Sequence, residues 1–386
     1  MRRLVLLASA MVFIDVAFFS AIAPLLPDYV DDLGLSEAEA GVLSASYAAG
    51  TLLASLPAGL VASRFGPRRS VIVGLLLLGC TSVVFGFAEQ IVLLDATRFA
   101  QGVAGALIWS GALTWLVTTA PPERRGAVIG TALGTAVAGA LLGPALGAVA
   151  GTVGTEPVFA SVLLVTLALA FAASRFPEAP VSERQDLRQV LAAMLSRPVR
   201  NAFVFVAVPS LMFGAIEVLV PLRIDDLGGG HGVIAAGFIA GAALEAVLAP
   251  LAGRYSDQVG RRLPYVSGMT ICALAMVAIG VAGSLGGVLA TLVTISLGAG
   301  FCFAPAMTML SDAATATDLH QGFAAGLSNM SWATGQVLGG IGGGVVASLY
   351  GFALPSYLIA ALLLATVLYA LRALAPRPDL DVSALG

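Results

Sequence analysis

One topological unit is written twice along this chain, 194 residues apart. In the first half, Pro27, Asp31, Asp32, Leu33, Gly34, Gly59 and Gly66 frame a turn reading Gly59-Leu-Val-Ala-Ser-Arg-Phe-Gly66-Pro-Arg-Arg69. In the second half, Pro221, Asp225, Asp226, Leu227, Gly228, Gly253 and Gly260 frame Gly253-Arg-Tyr-Ser-Asp-Gln-Val-Gly260-Arg-Arg262 at the same offset, without a gap. A parallel repeat of this kind in an apolar chain implies two bundles of membrane helices facing each other across a central site.

The chain is apolar enough for that reading. Of its 386 residues 59% are hydrophobic and 11% are charged, and its mean hydropathy is +0.97. A soluble fold of this size needs a more polar surface. Apolar windows place twelve spans near 4–26, 40–62, 70–88, 93–119, 126–150, 157–174, 201–222, 233–252, 264–283, 286–308, 322–348 and 352–372. Backbone polar groups in hydrocarbon must be satisfied internally, and the windows lack the alternation of barrel strands, so they read as helices. The fold expected is an all-α membrane protein of twelve helices in two pseudo-symmetric six-helix bundles. Residues 1–175 and 201–374 are the bundles, 176–200 a cytoplasmic linker and 375–386 a disordered cytoplasmic tail. A short amphipathic surface helix is expected over 186–195.

The start, Met-Arg-Arg and an apolar run, has the outline of a signal peptide. The run carries Asp15, lacks a cleavage site and leads into further spans, so it reads as the first membrane helix. With a cytoplasmic N-terminus, every Arg except Arg98 and Arg223 falls on the inner side, while the outer loops are acidic. This positive-inside pattern places a multi-pass protein in the cell membrane with both termini cytoplasmic. There is no Lys. No basic cluster suits nucleic acid. The three cysteines (Cys80, Cys272, Cys302) lie in apolar runs without metal-ligand spacing, so neither a metal nor another cofactor is expected. No nucleophile–base constellation is visible, which argues against an enzyme.

The repeated turn resembles the loop between helices 2 and 3 of the major facilitator superfamily, written G-x-L-A-D-R-x-G-R-R. The second copy carries Gly253, Asp257, Gly260, Arg261 and Arg262, with Gln258 in place of the middle Arg. The first keeps Gly59, Arg64, Gly66 and Arg68, with Ser63 where the family has Asp and Pro67 where it has Arg. Glycines permit a tight reversal, arginines meet anionic headgroups, and the Asp can latch one bundle to the other. Arg98-Phe-Ala-Gln101-Gly102-Val-Ala-Gly105 on span 4 is similar to the family's R-x-x-Q-G-x-G; the resemblance gives Arg98 a part in proton coupling, against a plain reading in which it snorkels to the outer headgroups. Span 5 carries Gly139, Gly143, Pro144 and Gly147, similar to G-x-x-x-G-P-x-x-G-G of the twelve-span drug/proton antiporters, with Ala148 for the last Gly. Small residues every fourth position allow close helix contact, and Pro144 frees a carbonyl. Span 11 is also Gly-rich (Gly335, Gly339, Gly340, Gly342, Gly343, Gly344) but lacks the Pro.

The resemblance implies a proton-coupled exporter of small amphipathic organic molecules working by alternating access, as a monomer. A facilitator or importer of a small metabolite is the alternative on the same fold. Intramembrane acids are the candidates for coupling: Asp15 in span 1, Glu217 in span 7 and Glu245 in span 8. A proton and a cationic or polar substrate competing for one such carboxylate gives antiport, and Asp15 is the first choice. Phe18, Phe19, Tyr47, Gln101, Trp109, Phe213, Asn329, Trp332 and Gln336 are expected around the cavity, with Trp115 a further candidate. His231 and His320 fall in loops and are assigned no role.

Overall fold

The computed structural model describes residues 1–121, 125–179, 192–317 and 321–374. Among these residues the regular structure is helical and there is no strand. In chain order the helices are α1 Arg2–Ser20, α2 Leu26–Leu33, α3 Glu37–Phe65, α4 Pro67–Gly86, α5 Ile91–Thr119, α6 Arg125–Val153 and α7 Thr155–Ser174. After the linker come α8 Arg197–Asp226, α9 His231–Val259, α10 Arg262–Gly280, α11 Leu285–Thr315, α12 Gln321–Tyr350 and α13 Ala353–Ala373. Among the described residues eleven segments, with Arg2–Leu33 taken as one, are long and apolar enough to cross a bilayer. The helix α12, at the place of span 11, is 30 residues long; its glycines and polar residues hold its hydropathy below the others.

The first span is not one continuous helix. α1 ends at Ser20, a 3-10 turn occupies Ala23–Leu25, and α2 follows. Pro24 and Pro27 supply no N–H to the ladder, so the run Pro24-Leu-Leu-Pro27 changes pitch. α2 stops at Gly34, which takes the left-handed conformation at φ +62°. α3 opens on a capping box in which Glu39 donates its backbone N–H to Ser36 Oγ and accepts the Ser36 backbone N–H at 2.8 Å.

Two cores form. One gathers Leu75, Leu78, Phe85, Trp115 and Phe159 from the first half. The other gathers Phe205, Tyr265, Met269, Cys272 and Met276 from the second. Cys272 and Cys302 are buried free thiols and Cys80 is exposed. Large apolar side chains remain outside, among them Leu53, Leu164, Phe171, Leu274 and Leu368. Such a belt is a liability in water and the normal dress of a lipid-facing surface.

The lobes share one packing plan. In α6, a side chain at Gly139, Gly143 or Gly147 would strike the backbone carbonyl of Phe13 or Ala17 in α1 or of Ala21 just after it. In α12, Gly335 and Gly339 face the carbonyls of Ala207 and Leu211 in α8, and Gly343 faces Ala215. The α1 and α8 contacts lie 194 residues apart. The span 5 glycines thus seat a helix inside their own lobe. The opposite edge of α12 meets the other lobe, where Gly340 and Gly344 lie against Gly41 and Glu37 of α3. Backbone-to-backbone contact of this kind replaces the hydrophobic effect, which does not operate between helices in lipid.

The expected linker is described at its ends only; residues 180–191, most of the expected surface helix, and the tail 375–386 lie outside the described residues.

Candidate functional site

Two polar groupings lie near the middle of the bundle. The first is inside the N-terminal lobe. Asp15 is 1% exposed; Tyr47 donates its hydroxyl to Oδ1 at 2.8 Å and Trp109 donates its indole N–H to Oδ2 at 3.1 Å. Three helices converge on this one carboxylate. Gly105 makes the approach possible, since a side chain there would meet both the Tyr47 hydroxyl and Asp15 Oδ1. Gly102 and Gly50 bring α3 and α5 into backbone contact in the same way, and Thr51 donates across that contact to the Gly102 carbonyl at 3.1 Å.

Arg98 is also 1% exposed. Its guanidinium donates to the carbonyls of Phe18 and Phe19 at 3.4 and 3.2 Å and to Gln101 Oε1 at 3.1 Å, and it lies 5.2 Å from the Tyr47 ring centroid. The guanidinium therefore points inward and does not snorkel. Those two carbonyls lie in the last turn of α1, just before the break that precedes the 3-10 turn. The cation thus caps the C-terminal turn of α1, where carbonyls carry the negative end of the helix dipole.

The second grouping lines a cavity of about 130 Å³ between the lobes. Phe19, Ser20, Ile22 and Ala23 of the first span and Ala140 and Pro144 of α6 form one wall. Phe213, Ile216 and Glu217 of α8, Phe238 and Glu245 of α9, and Leu292, Ile295 and Ser296 of α11 form the other. The Gln336 amide lies near enough to Glu217 to act on its carboxylate. Glu245 has no hydrogen-bond partner among the described residues. A half-enclosed carboxylate ringed by phenyl groups suits a ligand that is cationic or hydrogen-bonding at one end and apolar over the rest.

Most residues expected around the cavity do not line it. Phe18 turns into the N-terminal core, 5.7 Å from Phe159, because it follows Asp15 by one helical turn on the side facing α7. Gln101 is held by Arg98 and by Ser82. Tyr47 and Trp109 are spent on Asp15. Trp115 is a core residue packed on Phe176. Trp332 reaches the wall from behind, its ring 5.3 Å from Phe19. Asn329 sits on α12 with its amide nitrogen unpaired. Phe19 and Phe213 do line the cavity.

The repeated turns also differ from expectation. Gly66 and Gly260 make the reversals, at φ +91° and +83°, whereas Gly59 and Gly253 lie inside helices. Arg68 pairs with Glu178 at 3.0 Å, and Arg261 pairs with Asp312 of α11. Neither ion pair crosses between lobes. Asp257 and Arg64 are exposed and have no ion-pair partner among the described residues, and Arg262 lines a surface crevice. The latch expected of Asp257 is not made in this conformation.

One interlobe pair escaped the sequence reading. His231 is the first residue of α9, and its Nε2 lies 2.7 and 2.8 Å from the two carboxylate oxygens of Asp28 on α2. The contact joins positions 203 apart at the face opposite the chain termini. No local motif signals it.

The family model described as Major Facilitator Superfamily matches residues 8–319 and again 218–384. The MFS-type transporter ppzB of Metarhizium majus (strain ARSEF 297) is 30% identical over 125 residues, which are 31% of this chain and 27% of that protein. The matched stretch thus spans about a quarter of that relative's length. Multidrug resistance protein MdtG of Salmonella paratyphi A (strain ATCC 9150 / SARB42) is 27% identical over 281 residues, 69% of each chain. The solved structure of a bacterial homologue of the human lysosomal transporter Spinster, inward-facing and unoccupied, superposes with a TM-score of 0.74 over 96% of this chain and 95% of that one, at 13% identity. With a family match that runs nearly from end to end and a two-bundle helical fold to go with it, the chain belongs to the Major Facilitator Superfamily, a family of transporters and not of enzymes.

Proposed function

We propose that this protein is a proton-coupled secondary transporter that exports small amphipathic organic molecules from the cell by alternating access, as a monomer of two bundles (1–175 and 201–374). The observation that carries this reading is the interlobe cavity, where Glu217 and Glu245 stand among Phe19, Phe213 and Phe238. The name of the relative MdtG and the arginine-rich face of the termini support it. On this reading the termini are cytoplasmic and the Asp28–His231 face is extracellular.

Asp15 is the proton carrier in the proposed cycle. As a carboxylate it accepts hydrogen bonds from Tyr47 and Trp109 through both oxygens. A proton added to either oxygen makes it a donor, which must find an acceptor, so at least one of those bonds rearranges. The rearrangement alters how α1 sits on α3 and α5, and α1 also supplies the cavity wall at Phe19. Substrate at Glu217 and Glu245 and a proton at Asp15 therefore bias the same helix. That is the differential interaction coupled exchange requires.

Everted membrane vesicles loaded with a lipophilic cationic dye test this. Wild type moves dye against its gradient when a pH gradient is imposed, and Asp15→Asn does not, though it still equilibrates dye. Undiminished gradient-driven movement in Asp15→Asn removes the residue as carrier. Dye equilibration indifferent to the pH gradient in wild type assigns the protein to facilitated transport instead.

A further inference from the structure

We propose that His231 and Asp28 form a proton-strengthened latch that holds the two lobes together at the face opposite the chain termini. Of the four ion pairs among the described residues, this one alone joins helices of different lobes. Both side chains keep access to the medium, at 26% and 39% exposure. The site is shaped for an imidazole: a side chain at Gly151 of α6 would meet the His231 ring at 2.9 Å, so the ring lies flat on bare backbone.

The surrounding charges determine the sign. Asp28 and Asp31 come from α2, and Asp225 and Asp226 from the end of α8; Asp225 feels the charges of the other three carboxylates and of His231. Arg223 of α8 is committed to Asp226 and to the Ala282 carbonyl. Glu156 of α7 and Asp28 both act on Tyr29. From α6 the neighbours Ala148, Val149, Gly151 and Thr152 carry no charge. The seam thus sets carboxylates of one lobe against carboxylates of the other, with His231 as the side chain that reaches across to them. An imidazolium makes a charge-assisted bond to Asp28 and offsets the repulsion. A neutral imidazole keeps a weaker bond and leaves the repulsion in place. Histidine is the side chain that changes charge between about pH 5 and 8. Acid at this face therefore favours the closed seam, and alkali loosens it. The latch belongs to one seam: the position 194 residues before His231 is Glu37, whose carbonyl instead abuts Gly344 of α12.

The test reads lobe separation and does not depend on transport. In the full chain carrying Cys80→Ser, spin labels are attached through Glu89→Cys and Gly283→Cys, two turn positions on that face, one in each lobe. Electron–electron distances are measured in lipid nanodiscs at about pH 5.5 and about pH 8.5, either side of the histidine range. We expect the ratio of closed to open distances to fall about fivefold or more on raising the pH, the low end of ordinary coupling between sites. In His231→Gln the distribution becomes the same at both pH values. Asp28→Asn, altered in the other lobe, populates the open distance at both. A wild-type distribution that ignores pH overturns the proposal. So does a pH response retained in either variant, which assigns the effect to the neighbouring carboxylates.

Discussion

The two lobes share a backbone plan and differ in chemistry at the same positions. With the 194-residue offset, Phe19 and Ile22 of one lobe correspond to Phe213 and Ile216 of the other, and all four line the cavity. The polar cluster of the N-terminal lobe has no such counterpart. Asp15, Tyr47, Arg98, Gln101 and Trp109 correspond to Pro209, Gly241, Leu292, Ile295 and Phe303. Conversely, the cavity acids Glu217 and Glu245 correspond to Ala23 and Thr51. One lobe encloses its carboxylate in a closed hydrogen-bond network; the other presents its carboxylates to the shared space. Duplication copied the helix packing, which depends on small residues and backbone. It left the intramembrane charges free to diverge, because each side chain meets surroundings of its own rather than the shared helix seam.

The largest expected effect separates Arg98 from its counterpart Leu292. Arg98→Ala strands two carbonyls, Gln101 and the charge of Asp15, and should cost about 3–5 kcal/mol, as for removal of one member of a buried ionic network. Leu292→Ala, beside an existing cavity, should cost about 2 kcal/mol. Thermal unfolding in detergent compares the two, and equal losses would refute a specialised N-terminal lobe. Next, Gly143→Val and Gly339→Val test the shared plan. Each puts a branched side chain against a carbonyl, and overpacking of about 1–3 kcal/mol should destabilise both alike; a variant that is tolerated in one lobe and not in the other breaks the equivalence. Glu245→Gln should weaken binding of a cationic dye about tenfold, or about 1.4 kcal/mol, with little change for a neutral analogue. Thr51→Val, at the corresponding position, should leave dye affinity unchanged in the same fluorescence titration. The smallest effect is that of Tyr47→Phe, which removes one of two bonds to Asp15 and should cost about 1 kcal/mol. Trp109 emission reports whether the remaining indole bond survives.

The helices, the duplication and the close-packed glycines were legible because each is a periodic property of the chain. Hydropathy set the spans, and four-residue spacing marked Gly139, Gly143 and Gly147. The intramembrane acids also stood out, since a charge in hydrocarbon needs a partner. Their partners did not. Phe18 and Phe19 are adjacent in sequence, yet one enters the core and the other faces the cavity, a consequence of the 100° step between neighbours on a helix. Gln101 reads from the sequence as a cavity residue, and the fold instead sets Arg98 and Ser82 beside it.

By itself, then, the sequence determined an all-helical membrane chain of two like halves with acids in the first, seventh and eighth spans, because apolar length and repeat spacing are written locally. Tertiary structure alone decided which carboxylate is enclosed and which faces the cavity, that Arg98 caps the broken end of α1, and that His231 reaches Asp28. Each of those contacts joins residues on different helices, and which helix faces meet is a property of the packed bundle.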